Sequence, residues 1–158
     1  MPLSIDMTLL HEGITEAIIK AFYEVYNELG YGFLEKVCRR AMVIALTEAG
    51  LSVQENVHFE VWFRGQLIGE FFADIVVNGI VLVEIKSNSM FHAWDDAQAL
   101  NYLRVSRLEV ALLMNFGPKP EYRRRIFTND RKSALPSPGF RREATDYTDA
   151  TDQRNQKA

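Results

Sequence analysis

The chain has 158 residues, 47% hydrophobic and 25% charged, with a formal net charge of −3. These values exclude full disorder, collagen and coiled coil, and the length suits one domain with a tail. Residues 1–128 carry 12 basic and 16 acidic side chains, a balance that argues against strong sequence-independent affinity for DNA, which draws on many phosphate contacts.

Apolar residues at Leu10, Ile14, Ala17, Ile18, Ala21, Phe22, Val25 and Leu29 have the spacing of an amphipathic helix. Gly30-Tyr31-Gly32 breaks it, and a second helix is predicted from Phe33 to Ala49, with Gly50 at its C-terminal cap. That helix holds Cys38, the single cysteine of the chain. A lone thiol closes no intrachain disulfide, so a reducing compartment, the cytoplasm, is the expectation. The absence of a long apolar run and of a signal-peptide pattern at the N-terminus agrees. Cys38 falls among Leu34, Val37 and Ala41 and is read as core packing rather than a nucleophile.

The period then changes to two. Val53, Val57, Phe59, Val61 and Phe63 mostly alternate with polar residues, which predicts a half-buried strand with His58 toward solvent. Leu67–Val77 is a second strand, Asn78-Gly79 a hairpin turn, and Ile80–Ser87 a nearly all-apolar, hence central, third strand. Ala93–Val105 reads as a helix with Asp95 and Asp96 in its first turn, where the dipole favours them. Leu108–Phe116 and Tyr122–Phe127 complete an α-α-β-β-β-α-β-β order, an α/β fold with a mixed β-sheet flanked by helices. Arg123, Arg124 and Arg125 suit a solvated edge strand or a phosphate contact. From residue 129 the composition is that of a disordered polar tail, which gives a domain over 1–128 and a tail over 129–158.

Glu84 and Lys86 are two apart on the third strand and share a face. Alone, such a pair is a salt-bridged strand end. Asp74, on the preceding strand, changes the reading. A three-residue loop of Asn78 to Ile80 sets Asp74 opposite Glu84, whereas a two-residue loop sets it opposite Val83 and sends Glu84 to the other face. In the first register two carboxylates repel unless a cation lies between them, and a hard divalent ion is the natural occupant.

Asp74 followed ten residues on by Glu84-Ile85-Lys86 resembles the PD-(D/E)XK nuclease core, although Ala73 stands where the motif's name has proline. Gln98-Ala99-Leu100-Asn101-Tyr102 resembles the QxxxY motif of RecB-like and lambda-exonuclease-like members. A closer resemblance, from about Leu10 to Phe127, is to the GxxExxY proteins of bacteria and archaea. It is carried by His11-Glu12, Gly32-x-x-Glu35, the strand pair, Gln98 to Tyr102 and Asn115-Phe116-Gly117. Cys38 replaces the eponymous tyrosine.

The resemblance implies a restriction-endonuclease-like core and a metal-dependent nuclease hydrolysing phosphodiester bonds, most naturally in DNA, with Mg²⁺ or Mn²⁺ as cofactor and no membrane partner. Asp74, Glu84 and the Ile85 carbonyl would hold the ion, with Glu35 directly or through water. Lys86 would activate the attacking water, Gln98 would bridge to Lys86 or a phosphate, and Tyr102 would contact the nucleic acid. His92 is a remote candidate ligand and His11 a helix-start residue. The rival reading is a module that keeps the fold without turnover and binds nucleic acid or a protein. A homo-oligomer is compatible with either.

Overall fold

The hairpin turn at Asn78-Gly79 organises the sheet. Both residues have positive φ, 52° and 65°, and the Ile80 amide donates to the Val77 carbonyl at 2.9 Å. The computed structural model describes residues 10–132; residues 1–9 and 133–158 lie outside them. The elements are α1 (Glu12–Leu29), α2 (Glu35–Glu48), β1 (Val53–Phe63), β2 (Gln66–Val77), β3 (Val81–Lys86), α3 (Ala93–Arg104), β4 (Val110–Phe116) and β5 (Pro120–Ile126), then a 3₁₀ turn at Asn129–Arg131. Among the described residues the sheet has five strands in sequence order, β1-β2-β3-β4-β5. Only β3 and β4 are parallel, because the crossover through α3 returns the chain in its original direction.

Helices cover both faces of the centre. On one side Ile18, Phe22 and Val25 of α1 and Cys38, Met42 and Leu46 of α2 pack on Ile75, Val83, Leu112 and Met114. On the other, Ala99 and Leu103 of α3 pack on Val76, Leu82, Ala111 and Leu113. This double cover explains why β3 and β4 are apolar at nearly every position and buried throughout, apart from the half-buried Lys86. Cys38 is fully buried, and that burial pushes its thiol pKa up. No helix among the described residues is long and apolar enough to cross a membrane.

The β1–β2 hairpin outruns the sheet. β2 pairs with β3 only from Ile75 to Val77, while its pairing with β1 continues to Phe63 and Gln66. The alternation also shifts partway along. Ile75 and Val77 belong to the core under α1 and α2, but Phe71 and Ala73 to the core under α3. The change falls at Asp74 and at Asn56, whose φ is 50°. His58 is buried, not solvent-facing as its strand position suggested. Phe72 lies directly opposite it, with ring centroids 5.1 Å apart, and Glu70 is 2.8 Å from its Nε2.

Residues 129–132 extend the folded unit beyond residue 128. The Asn129 amide donates to Glu109, and Lys132 Nζ donates to the carbonyls of Ser106 and Leu108, both at 2.8 Å. The rest of the expected tail lies outside the described residues.

Gly117 closes β4 at a tight contact. A Cβ there would sit 2.4 Å from the Asn88 carbonyl oxygen and 2.9 Å from the Asn115 side-chain nitrogen. The Asn115 amide meanwhile clasps Asn88, donating its N–H to the Asn88 carbonyl at 3.0 Å and accepting the Asn88 amide on its C=O at 2.9 Å. Gly117→Ala should therefore cost about 1–3 kcal/mol through overpacking. A lower urea midpoint at unchanged m-value would register it, and an unchanged midpoint would contradict the contact.

Candidate active site

The register at the turn decides the site. Val77 faces Val81, Val76 faces Leu82 and Ile75 faces Val83, so the three-residue loop is the one present. One step further the backbone ladder ends and carboxylates take its place. The Asp74 amide donates to Glu84 Oε1 at 3.3 Å, and the Ile85 amide donates to Asp74 Oδ2 at 2.8 Å. The two carboxyl groups also lie within hydrogen-bonding reach of each other. Burial raises the Asp74 pKa above its ordinary value and the Glu84 pKa well above its own, and for Glu84 the adjacent Asp74 charge adds to the rise.

Lys86 does not form a close ion pair with these acids. Its Nζ is 3.2 Å from Gln98 Oε1 and 3.8 Å from Asp95 Oδ1, both on α3. Asp95 is buried and accepts the His92 amide through Oδ2 at 2.9 Å, so one carboxylate caps the helix and faces the lysine. Gln98 thus stands where the resemblance places it, beside Lys86.

Glu35 is the first residue of α2, on the rim. Burial pushes its pKa up, the Lys86 charge pulls it down and Asp74 pushes it up again, while the Ser87 amide donates to it. Glu35 is therefore in the field of the site without joining Asp74 and Glu84 in one cluster. Tyr102 stacks flat on Phe71, with centroids 3.7 Å apart and planes at 3°. Burial, then the Glu84 and Asp74 charges, push its phenol up to about 12. One ring face is thus covered, and the hydroxyl is the group within reach of the site's charge.

Two residues that sequence reasoning passed over belong here. Arg39 Nη1 is 3.7 Å from Asp74 Oδ1 and donates to Asn56 Oδ1 at 2.9 Å. It lies four residues after Glu35 on α2, a spacing that would have found it. Asp95 precedes Gln98 by three, on the same face; its first-turn position had accounted for it fully. His92 is exposed at the N-cap position of α3, and His11 occupies that of α1 without a side-chain capping bond. The arginine run is tied inward: Arg123 and Arg125 pair with Asp96, and Arg124 donates to the Leu10 carbonyl.

Among the described residues no three His, Cys, Asp or Glu side chains gather into a ready cage. What is present is a pair of buried carboxylates, oxygen donors throughout. Asp74, Glu84, Glu35 and Asp95 face Arg39 and Lys86, which leaves a deficit of two charges when all are ionised. One hard divalent cation fits both the chemistry and the deficit.

An acid on one strand, Glu-x-Lys on its antiparallel neighbour and a helical glutamine on the lysine form an arrangement that comparison with known proteins can place. No curated protein matches the chain, and neither does any solved structure. Residues 12–126 match the PD-(D/E)XK nuclease superfamily, whose members generally use divalent metals. The match runs from the start of α1 to the end of β5 and includes every residue of this site, and on it the chain belongs to the PD-(D/E)XK nuclease superfamily.

Proposed function

We propose that this chain is a metal-dependent phosphodiesterase acting on DNA, of the GxxExxY type with a RecB-like QxxxY helix, and that it uses Mg²⁺ or Mn²⁺. The observation that carries the reading is the mutual clasp of Asp74 and Glu84 at the step where the β2–β3 ladder ends. Structural packing alone does not call for two carboxylates with raised pKa values in one buried place. Asp74, Glu84 and the Ile85 carbonyl would hold the ion, with Glu35 reaching it from the rim. The bound ion would supply charge for the phosphate and an acidified water. Lys86, steered by Gln98 and Asp95, orients the attacking water and offsets charge on the phosphate. Arg39 holds Asp74 in place.

The rival reading, a non-cleaving module, has one observation in its favour: no three-ligand cage is preassembled among the described residues. A cleavage assay on single- and double-stranded DNA and RNA, with Mg²⁺, Mn²⁺ or EDTA, separates the two. Cleavage of DNA that EDTA abolishes supports the proposal. Folded protein that cleaves nothing in either metal rejects it.

Metal response should depend on pH with a definite sign. Glu84, Asp74 and Glu35 have folded pKa values above their unfolded ones. Without metal, their protonated forms stabilise the fold. That contribution is full below the ordinary carboxylate pKa and is lost as pH rises through the folded values. A cation needs the ionised forms, so millimolar Mg²⁺ should raise Tm more at about pH 8 than at about pH 5.5. Thermal melts with and without metal at the two values check this. An equal or larger shift in acid would place the metal elsewhere.

A further inference from the structure

Trp94, Gln98 and Tyr102 stand at intervals of four on α3 and so form one stripe. Tyr102 is innermost, flat on Phe71. Gln98 is in the middle, on Lys86. Trp94 is outermost and 75% exposed, and among the described residues its ring stacks on no other ring and lies under no cation. The core does not require it, because α3 buries a different set, Asp95, Ala99 and Leu103. On the α2 side, Leu34 precedes Glu35 and is 77% exposed. Phe33, also exposed, is bound at its carbonyl by the Ser87 hydroxyl, at 2.8 Å, one residue after Lys86. The chain neighbours of the site's own residues, Trp94 on α3 and Phe33 and Leu34 before α2, are thus apolar and exposed.

The cations of the site, and Arg123 and Arg125 of β5 next to α3, already have partners. Arg39 is held by Asn56 and Asp74, Lys86 by Gln98 and Asp95, and Arg123 and Arg125 by Asp96. A duplex is gripped chiefly through its phosphates and keeps its base faces stacked internally. An unpaired nucleotide offers a free π-face, and aromatic side chains bind it without sequence preference. We propose that Trp94 is a stacking platform for an unpaired base, so that the strand led past Gln98 to Lys86 is single-stranded. The inference rests on the nuclease reading for what happens to the phosphate; the base contact itself does not need it.

The test uses the full chain with Trp62→Phe, which leaves Trp94 as the one tryptophan of the two. In Ca²⁺, it is titrated with an oligothymidylate of about twelve residues, its ribose counterpart and a blunt hairpin duplex, reading tryptophan fluorescence and anisotropy. A single-stranded probe should quench Trp94 and bind more tightly than the duplex. Trp94→Ala should weaken that binding by about tenfold or more, and Trp94→Phe should retain most of it. In Mg²⁺, Trp94→Ala should lower cleavage mainly through KM. Absence of quenching, equal affinity for the duplex, or unchanged affinity in Trp94→Ala overturns the platform. Quenching and its loss in Trp94→Ala, with no cleavage by the parent, upholds the platform and rejects the nuclease reading. Cleavage that ignores Trp94 does the reverse. Quenching by only one of the two sugars upholds the platform and identifies the nucleic acid.

Discussion

Lys86→Ala should reduce metal-dependent cleavage by about 10²–10⁴-fold, the range for removal of a positioned group acting on the transferred proton or its charge. The lysine sits at the last residue of β3, half-buried, with its ammonium toward Gln98 and Asp95. Nothing in the apolar core leans on it, so the variant should fold. It does leave Asp95 buried without its cation, which predicts a modest loss of stability separate from the catalytic loss. Lys86→Arg separates the two effects. It restores a positive charge for Asp95, yet its planar fork does not reproduce a compact ammonium, so stability should recover while cleavage stays low. Single-turnover cleavage in Mg²⁺ beside a thermal melt measures both. Cleavage within tenfold of the parent for Lys86→Ala would remove the lysine from the chemistry.

Glu84→Gln and Asp74→Asn should move activity and stability in opposite directions. Each amide keeps the shape and an oxygen able to accept the backbone N–H now held by the carboxylate, Asp74 N for Glu84 and Ile85 N for Asp74. Each removes one of two like charges whose ionised forms burial disfavours. In metal-free buffer Glu84→Gln should be as stable as the parent or more so. Asp74→Asn also loses its contact with Arg39, at 3.7 Å, and should gain less. Both should lose most of the Mg²⁺-induced rise in Tm, and cleavage should fall by about 10²-fold or more, since a Lewis-acid ion supplies several kcal/mol to the transition state and each 1.4 kcal/mol is tenfold. A structural carboxylate pair gives the opposite result: lower stability in both variants and a metal response like that of the parent. Residues selected for activity at the expense of stability show the first pattern.

Much of this arrangement is legible in one dimension, and what is legible has a common cause. The helix period from Leu10 to Leu29, the unbroken apolar runs that became β3 and β4, and the Asn78-Gly79 turn all act between near neighbours in the chain. The turn matters most. The sequence marks the turn but leaves its loop length open; positive φ at both residues and a three-residue loop set Val77 against Val81, and Asp74 and Glu84 meet one step beyond the last paired residues, Ile75 and Val83. A one-residue slip there would have sent Glu84 to the other face.

Only the tertiary structure decided the partners of the charged groups. Lys86 looked like the counter-ion of Glu84 on its own strand, but it turns to Asp95, beside the Gln98 that the resemblance had placed there, because α3 packs across that face of the sheet. The i, i+4 spacing puts Arg39 on the helix face of Glu35, but it reaches Asp74, 35 positions on in the sequence, only because α2 packs on the opposite face. The change of face at Asn56 and Asp74, the burial of His58 under Phe72 and the stacking of Tyr102 on Phe71 have the same origin. Periodicity states which side of an element is apolar. It does not state which element will cover that side, and a long flexible charged side chain settles on whichever partner the packed helices bring within reach.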